Sequence, residues 1–357
     1  MYSSIEQMVK DAAERMATDI HLMAGVPAKI RVNSRIINLD DNPLSEGDAE
    51  HFAREMAGRR FEEVEDIGEI DIAATISGRR CRINIYRASG TYASSVRILP
   101  MEIPPLESLG LPEILQEVPK YNKGIVLLTG ETSSGKSTTL ASILDMINHS
   151  RSEHIITLED PIEYIYQPDK SIISQREIGS DTRSYDDGLR AVLREDPDII
   201  LIGEMRDIVS IDIALMAAET GHLVFATVHT NSAVDTIDRI VGSYPADRFN
   251  QIRIQLAATL RMIITQQLLE RKDGSGLVPA TEVMAVTPAI QNLIREAKTA
   301  QMQSALLTGV SEGSLPMDNS IIDLYRRGLI SSATALGAAR DRDYVKRSID
   351  MRSAHKR

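Results

Sequence analysis

Gly130-Glu131-Thr132-Ser133-Ser134-Gly135-Lys136-Ser137 fits the spacing G-x-x-x-x-G-K-[ST] without interruption. Residues 125–128 before it (IVLL) form an all-apolar run of the kind a buried parallel strand needs. After it, Leu140, Ile143, Leu144 and Ile147 recur at i, i+3, i+4 and i+7, one face of a helix. Strand, glycine-bounded loop and helix together aim backbone N–H groups and a helix N-terminus at phosphate. Lys136 is then placed to reach the β- and γ-phosphates and Ser137 to ligate Mg²⁺, with Gly130, Glu131, Thr132, Ser133, Ser134, Gly135 and Thr138 completing the cradle. The pattern implies a nucleoside triphosphate site. The alternative, a chance match in an ordinary loop, is opposed by the strand and helix patterns that stand where the motif requires them.

Composition sets the frame around this loop. A chain of 357 residues with 43% apolar and 25% charged residues reads as a globular protein of two domains. No apolar run approaches the roughly 18 residues of a membrane span, and the N-terminus lacks the basic-then-apolar order of a signal peptide. Cys81 is the sole cysteine, which excludes an internal disulfide and a cysteine-based zinc site. The expectation is a cytoplasmic protein. A net charge of −11 argues against nucleic-acid binding, which needs a basic footprint. The C-terminal stretch 340–357 is the exception, with seven Lys/Arg against three Asp. It reads either as a contact for an anionic membrane face or acidic partner, or as a solvated, frayed tail.

Along the chain, residues 1–100 read as a small α/β domain. Helices are expected over 5–16 and 48–57, and strands over 28–37, 69–76, 80–86 and 94–99. Pro100, Pro104, Pro105, Pro112 and Pro119 mark a stiff linker over 101–119. From 120 to 284, apolar strands alternate with helices, the pattern of a parallel sheet wound with helices. Strands are expected at 125–128, 155–158, 199–202 and 223–228, and residues 285–357 read as mainly helical.

Hydrolysis needs more than a phosphate loop. Asp198-Ile199-Ile200-Leu201-Ile202-Gly203-Glu204 is a buried strand with an acid at its carboxyl end, where ligands gather in this sheet class. Glycine occupies the place where an aspartate commonly stands, so Glu204 is expected to contact Mg²⁺ through water or to orient the nucleophile. Glu159, Asp160 and Glu163 place three carboxylates within five residues, which calls for a cation or an open, solvated turn. His229 ends the apolar run 223–228 and could donate to the γ-phosphate; His222, at the other end, reads equally well as structural.

These motifs together make the chain resemble the type IV pilus retraction (twitching motility) ATPases of the secretion ATPase superfamily, over nearly its whole length. The phosphate loop and Thr138-Thr139 match, 156–164 resembles the family's aspartate box, 193–207 its Walker B and 220–232 (TGHLVFATVHTNS) its histidine box. Thr18-Asp19-Ile20-His21-Leu22, residues 324–330 and Ala289-Ile290-Gln291-Asn292-Leu293-Ile294-Arg295-Glu296 resemble further family signatures.

The resemblance implies an α/β protein with a PAS-like N-terminal domain, a RecA-like P-loop NTPase core and a helical C-terminal region. It implies a homo-hexameric ATPase motor that uses ATP and Mg²⁺ and acts with the inner-membrane platform of the pilus machinery, peripheral to the membrane. Glu163 is then the base on water, Glu204 the magnesium carboxylate, and Arg82 and Arg97 the arginines completing the site. The chain departs from the family pattern at Glu131 and Ser133, where Pro and Gly are usual, and at Gln291, where Arg is usual. Pilus assembly, type II secretion and conjugation ATPases are the neighbouring readings. The sole cysteine sets the chain apart from assembly ATPases, which carry a four-cysteine insertion. A nucleic-acid translocase and a non-hydrolysing regulator are the readings from other classes; acidity opposes the first, and the presence of both Glu163 and Glu204 the second.

Overall fold

The computed structural model describes residues 2–32 and 35–355. The chain divides into two compact units, Met1–Glu102 with Pro161–Ile165, and Ile103–Asp160 with Tyr166–Arg357.

The first unit contains α1 (Ile5–Glu14), β1 (Asp19–Met23), β2 (Pro27–Val32), β3 (Arg35–Pro43), α2 (Glu46–Ala57), α3 (Phe61–Ile67), β4 (Glu69–Ile76), β5 (Arg79–Ala88) and β6 (Thr91–Ile98). Its strands form one antiparallel sheet in the order β3-β2-β1-β6-β5-β4. Alternation along the strands gives this sheet two chemically different faces. Ile30, Ile20, Val96 and Ile83 lie side by side across β2, β1, β6 and β5 and are fully buried, in one core with Met8, Val9 and Phe52 of α1 and α2. One residue along, the register sets Arg31, Asp19, Arg97 and Arg82 in a row on the opposite face.

In the second unit, two 3₁₀ turns (Leu106–Leu109 and Glu113–Lys120) carry the proline-rich stretch. Then come β7 (Gly124–Thr129), α4 (Lys136–Ser150), β8 (His154–Glu159), β9 (Ile172–Glu177), α5 (Tyr185–Val192), β10 (Ile199–Ile202), α6 (Ile208–Glu219), β11 (Leu223–Val228) and α7 (Ala233–Gly242). They are followed by α8 (Phe249–Thr259), β12 (Leu260–Glu270), β13 (Leu277–Ala285), α9 (Pro288–Arg295), α10 (Thr299–Thr308), α11 (Met317–Arg326), α12 (Ser332–Ala338) and α13 (Arg342–His355). The sheet runs β13-β12-β7-β11-β10-β8-β9, parallel except for β13 at one edge. Every residue of β7, β10 and β11 is buried, as expected for parallel strands covered on both faces. None of the described helices is long and apolar enough to cross a membrane.

The expected elements are present, with corrections. The single strand expected over 28–37 is the pair β2 and β3; its residues 33–34 lie outside the described residues. β1, α3, β9, β12 and β13 were not expected as elements. The spacing of Ile290, Leu293, Ile294 and Ala297 predicts one apolar helix face, but helix α9 ends at Arg295, and Ala297 beyond it is exposed at φ +56°. The basic stretch is not a frayed tail where the structure describes it. Val345 and Ile349 of α13 are buried against Ile321 of α11 and Val278 of β13, and Arg340 is bound to protein groups. Lys356 and Arg357 lie outside the described residues.

Candidate active site

The phosphate loop leaves the carboxyl end of β7 and re-enters regular structure at Lys136, the first residue of α4. On the inner side it is wedged against β12. A Cβ on Gly130, whose φ is +140°, would stand 2.3 Å from the Gln266 carbonyl oxygen, so glycine is required there. Gln266 is itself buried, and its Oε1 accepts a 2.9 Å hydrogen bond from Thr139 of α4; beside it Thr129 and Thr265 hydroxyls are 2.8 Å apart. The Lys136 ammonium donates to the carbonyls of Gly130 (2.8 Å) and Glu131 (2.7 Å). The loop thus holds its own lysine at its centre, and Lys136 is only 8% exposed. Glu131, Thr132, Ser133 and Ser137 are exposed and Thr138 half-buried. Ser134 is buried, and its hydroxyl has no hydrogen-bond partner among the described residues.

Two strands away, Glu204 is fixed from several directions. The Gly203 N–H donates to the Leu158 carbonyl (2.8 Å), Thr227 Oγ1 donates to the Gly203 carbonyl (2.5 Å), and the Glu204 N–H donates to Tyr185 Oη (3.2 Å). A Cβ on Gly203 would lie 2.6 Å from Tyr185 Oη and 2.9 Å from the Leu158 oxygen. Glycine stands here, where an acid is more common, because β8 and Tyr185 leave no room for a side chain. The carboxylate pairs with Arg206 (Nη2 to Oε2, 2.7 Å) and His229 (Nε2 to Oε1, 3.3 Å). Burial alone would raise the Glu204 carboxyl, but the Arg206 hydrogen bond and charge, with His229, outweigh it and hold the group below its ordinary value. Desolvation pushes the Tyr185 phenol up, which keeps it a neutral hydrogen-bonding group.

The acid cluster is divided. Glu159 accepts from Thr157 (2.7 Å) and Gln175 (3.3 Å) at the end of β8, and the charge of Asp160 acts on Arg206. Glu163 lies in Pro161–Ile165, the segment whose contacts place it with the first unit. His222 closes the end of α6, its ring nitrogen 2.8 Å from the Ala217 carbonyl.

Arg82 and Arg97 are direct cross-strand partners on β5 and β6, both exposed. Arg97 donates to Asp19 (2.9 Å), and Arg31 lies 3.6 Å from the same carboxylate. Burial of Asp19 would raise its carboxyl, but hydrogen bonds from Thr18 and Arg97 and the Arg97 charge bring it below the ordinary value.

The sequence model of the type II/IV secretion system protein family matches residues 106–312. A type IV pilus retraction ATPase (PilT) of Pseudomonas aeruginosa is 42% identical over 333 residues, 93% of this chain and 96% of that protein. The chain belongs to the type II/IV secretion system family. A twitching motility protein of Neisseria gonorrhoeae is 46% identical over 256 residues, covering 72% of this chain and 68% of that protein. The crystal structure of the pilus retraction motor PilT with bound ADP superposes with a TM-score of 0.90 at 43% identity, covering 97% of this chain and all of that one. The α/β fold class expected from the sequence, with a P-loop NTPase core, a smaller N-terminal domain and a helical C-terminal region, is that of this family; the core sheet is parallel but for β13, and the N-terminal sheet is antiparallel.

The family's use of nucleotide raises the question of a metal. Among the described residues, no group of three or more His, Cys, Asp or Glu side chains is arranged to hold an ion. Magnesium keeps several waters and takes most of its remaining ligands from phosphates, so it needs few protein donors. The Ser137 hydroxyl at the first turn of α4 and the Glu204 carboxylate fit that donor set. Both oxygens of Glu204 already have partners, which favours contact through water.

Arg206, Tyr185, Thr227 and Gln266 are the site residues that sequence reading assigned no role. Arg206 was visible as a cation two residues beyond the acid. Thr227 and Gln266 come close only through sheet order and Tyr185 only through the packing of α5 against β8, neither of which adjacent sequence displays.

Proposed function

We propose that this chain is the ATPase motor that powers type IV pilus retraction, working as a homo-hexamer on the cytoplasmic side of an inner-membrane platform protein. One observation carries the catalytic half of this reading. The phosphate loop and the Glu204–His229–Arg206 group stand at the same carboxyl edge of one parallel sheet, on β7 and the neighbouring strands β11 and β10. Identity of 42% over nearly the full length to a pilus retraction ATPase supports the biological half.

In the proposed reaction water attacks the γ-phosphorus of ATP, the bond to the β–γ bridging oxygen breaks, and ADP and phosphate leave. Lys136 neutralises charge on the β- and γ-phosphates, and the loop's N–H groups orient them. Glu163 accepts the proton of the attacking water. Arg82 and Arg97 supply guanidinium groups for charge on the transferring phosphoryl. His229 donates toward the γ-phosphate and, through its pair with Glu204, reports the phosphate's presence to β10. Ser137 and Glu204 would hold magnesium, which supplies charge neutralisation at the phosphates.

Deletion in the native host, scored by counting surface pili, tests this reading. Excess pili that fail to retract are the expected result. Loss of pili would assign the chain to assembly instead.

A further inference from the structure

The phosphate loop forms one wall of a cavity of about 370 Å³ inside the second unit. Leu268 of β12, Leu277 of β13, Met317 of α11 and Ala338 of α12 give it an apolar side. Ser134, whose buried hydroxyl has no hydrogen-bond partner among the described residues, and Arg340, from the α12–α13 connection, give it a polar one.

Arg340 is held in place by three groups. Its Nη1 donates to the Glu282 carboxylate, and its Nη2 to the carbonyl of Asn231. Its backbone N–H donates to Asp318 (2.8 Å). Glu282 is 2% exposed, and its second oxygen accepts the Ala233 N–H, at the first turn of α7 (2.8 Å). Asn231 lies two residues after His229 and reaches back to Glu131 of the phosphate loop (3.5 Å). A cation far along the chain is therefore fixed on the segment that carries His229, at the rim of a cavity floored by the phosphate loop. A guanidinium has five N–H donors, and this one gives two to protein among the described residues.

We infer that Arg340 is a nucleotide-contacting residue, through which the C-terminal helices respond to occupation of the phosphate loop. The inference rests on the nucleotide reading of that loop. The cavity's chemistry fits one ligand class, a nucleotide with an apolar base and an anionic tail. The remaining Arg340 donors meet its oxygens; the Asn231 carbonyl and the Asp318-bound backbone keep the guanidinium aimed, and Glu282 competes with the nucleotide for its charge. Occupation of the cavity then adds the nucleotide to the tie that Arg340 already makes between the α12–α13 connection and the His229 segment.

Two variants separate this contact from a structural salt bridge. Arg340→Gln and Glu282→Gln both break the ion pair, and each leaves an amide able to hydrogen-bond. In a purely structural pair both substitutions act on stability and neither changes nucleotide affinity in the folded protein. A nucleotide contact predicts that affinity falls in Arg340→Gln and does not fall in Glu282→Gln. With the full-length protein and a fluorescent ATP analogue, Arg340→Gln should weaken binding about tenfold, the scale of one charge-assisted hydrogen bond. Glu282→Gln should leave binding unchanged or tighter, because the guanidinium loses its competing anion. Thermal melts establish that both variants are folded. Equal weakening by both variants, or wild-type affinity in folded Arg340→Gln, overturns the inference and leaves the nucleotide reading intact. A wild-type chain that fails to bind the analogue overturns both.

Discussion

His229 Nε2 stands 3.3 Å from Glu204 Oε1, so the carboxyl ends of β11 and β10 are joined by the side chains that follow them. Arg206 takes the other carboxylate oxygen at 2.7 Å. A carboxylate paired in this way is ionised across the neutral range, and its field is spent on a histidine and an arginine instead of on water. That arrangement suits a group which positions metal and phosphate. It does not suit a proton acceptor, so the base must be sought elsewhere, and Glu163 is the candidate.

Substituting the two acids separates these roles. Glu163→Gln should bind MgATP normally and lower turnover about a hundredfold or more, the scale of losing a general base. Glu204→Gln should lower turnover too, and in addition weaken the magnesium dependence of nucleotide binding. Titrations of binding against Mg²⁺, with steady-state turnover, check both. Wild-type turnover in Glu163→Gln would move the base to Glu159 or Asp160.

Gly203→Ala tests the clamp behind Glu204. The added methyl meets Tyr185 Oη at 2.6 Å and the Leu158 carbonyl at 2.9 Å, so backbone or phenol must shift. Overpacking of this kind costs about 1–3 kcal/mol. A lower melting temperature is expected, with reduced turnover, because the carboxylate moves with its backbone. Unchanged melting and turnover would show that the clamp does not set the position of Glu204.

Much of this was legible in the sequence, for physical reasons that differ by residue. The phosphate loop announces itself because glycine, lysine and hydroxyl are needed at fixed spacing, and β7, β10 and β11 because strands buried on both faces must be apolar throughout. β12 was missed although it backs the loop: its polar Thr265 and Gln266 are buried by pairing with Thr129 and Thr139, and break the apolar pattern. Hairpin β2–β3 read as one strand because β3 is largely exposed and carries little periodic signal. Arg340 looked like part of a solvated basic tail. Its buried partner Glu282 lies 58 residues away, and no local pattern reveals such a pair.

The charged row on the first unit has a defined response to pH. Asp19 has its folded-state carboxyl lowered below the ordinary value of 3.8, so it stabilises the unit fully above that value. The contribution is lost as pH falls through the lowered folded-state value. Asp19→Asn should cost about 1 kcal/mol at neutral pH, since Asp19 is buried but its partner Arg97 is exposed and screened. The difference from wild type should shrink in strong acid. Thermal melts at pH 7 and pH 3 check the sign; a gap that widens in acid would contradict it.

The account depends most on Lys136, and ATP turnover by purified Lys136→Ala beside wild type tests it most directly. The proposed role of the lysine is toward the ligand: its ammonium rests on the carbonyls of Gly130 and Glu131, while the buried apolar residues around the loop are Leu127 and Leu128 of β7 and Leu140, Ile143, Leu144 and Ile147 of α4. The variant should therefore keep its fold, seen in an unchanged circular dichroism spectrum, and lose ATP turnover to background. A folded Lys136→Ala that hydrolyses ATP at the wild-type rate would contradict the account.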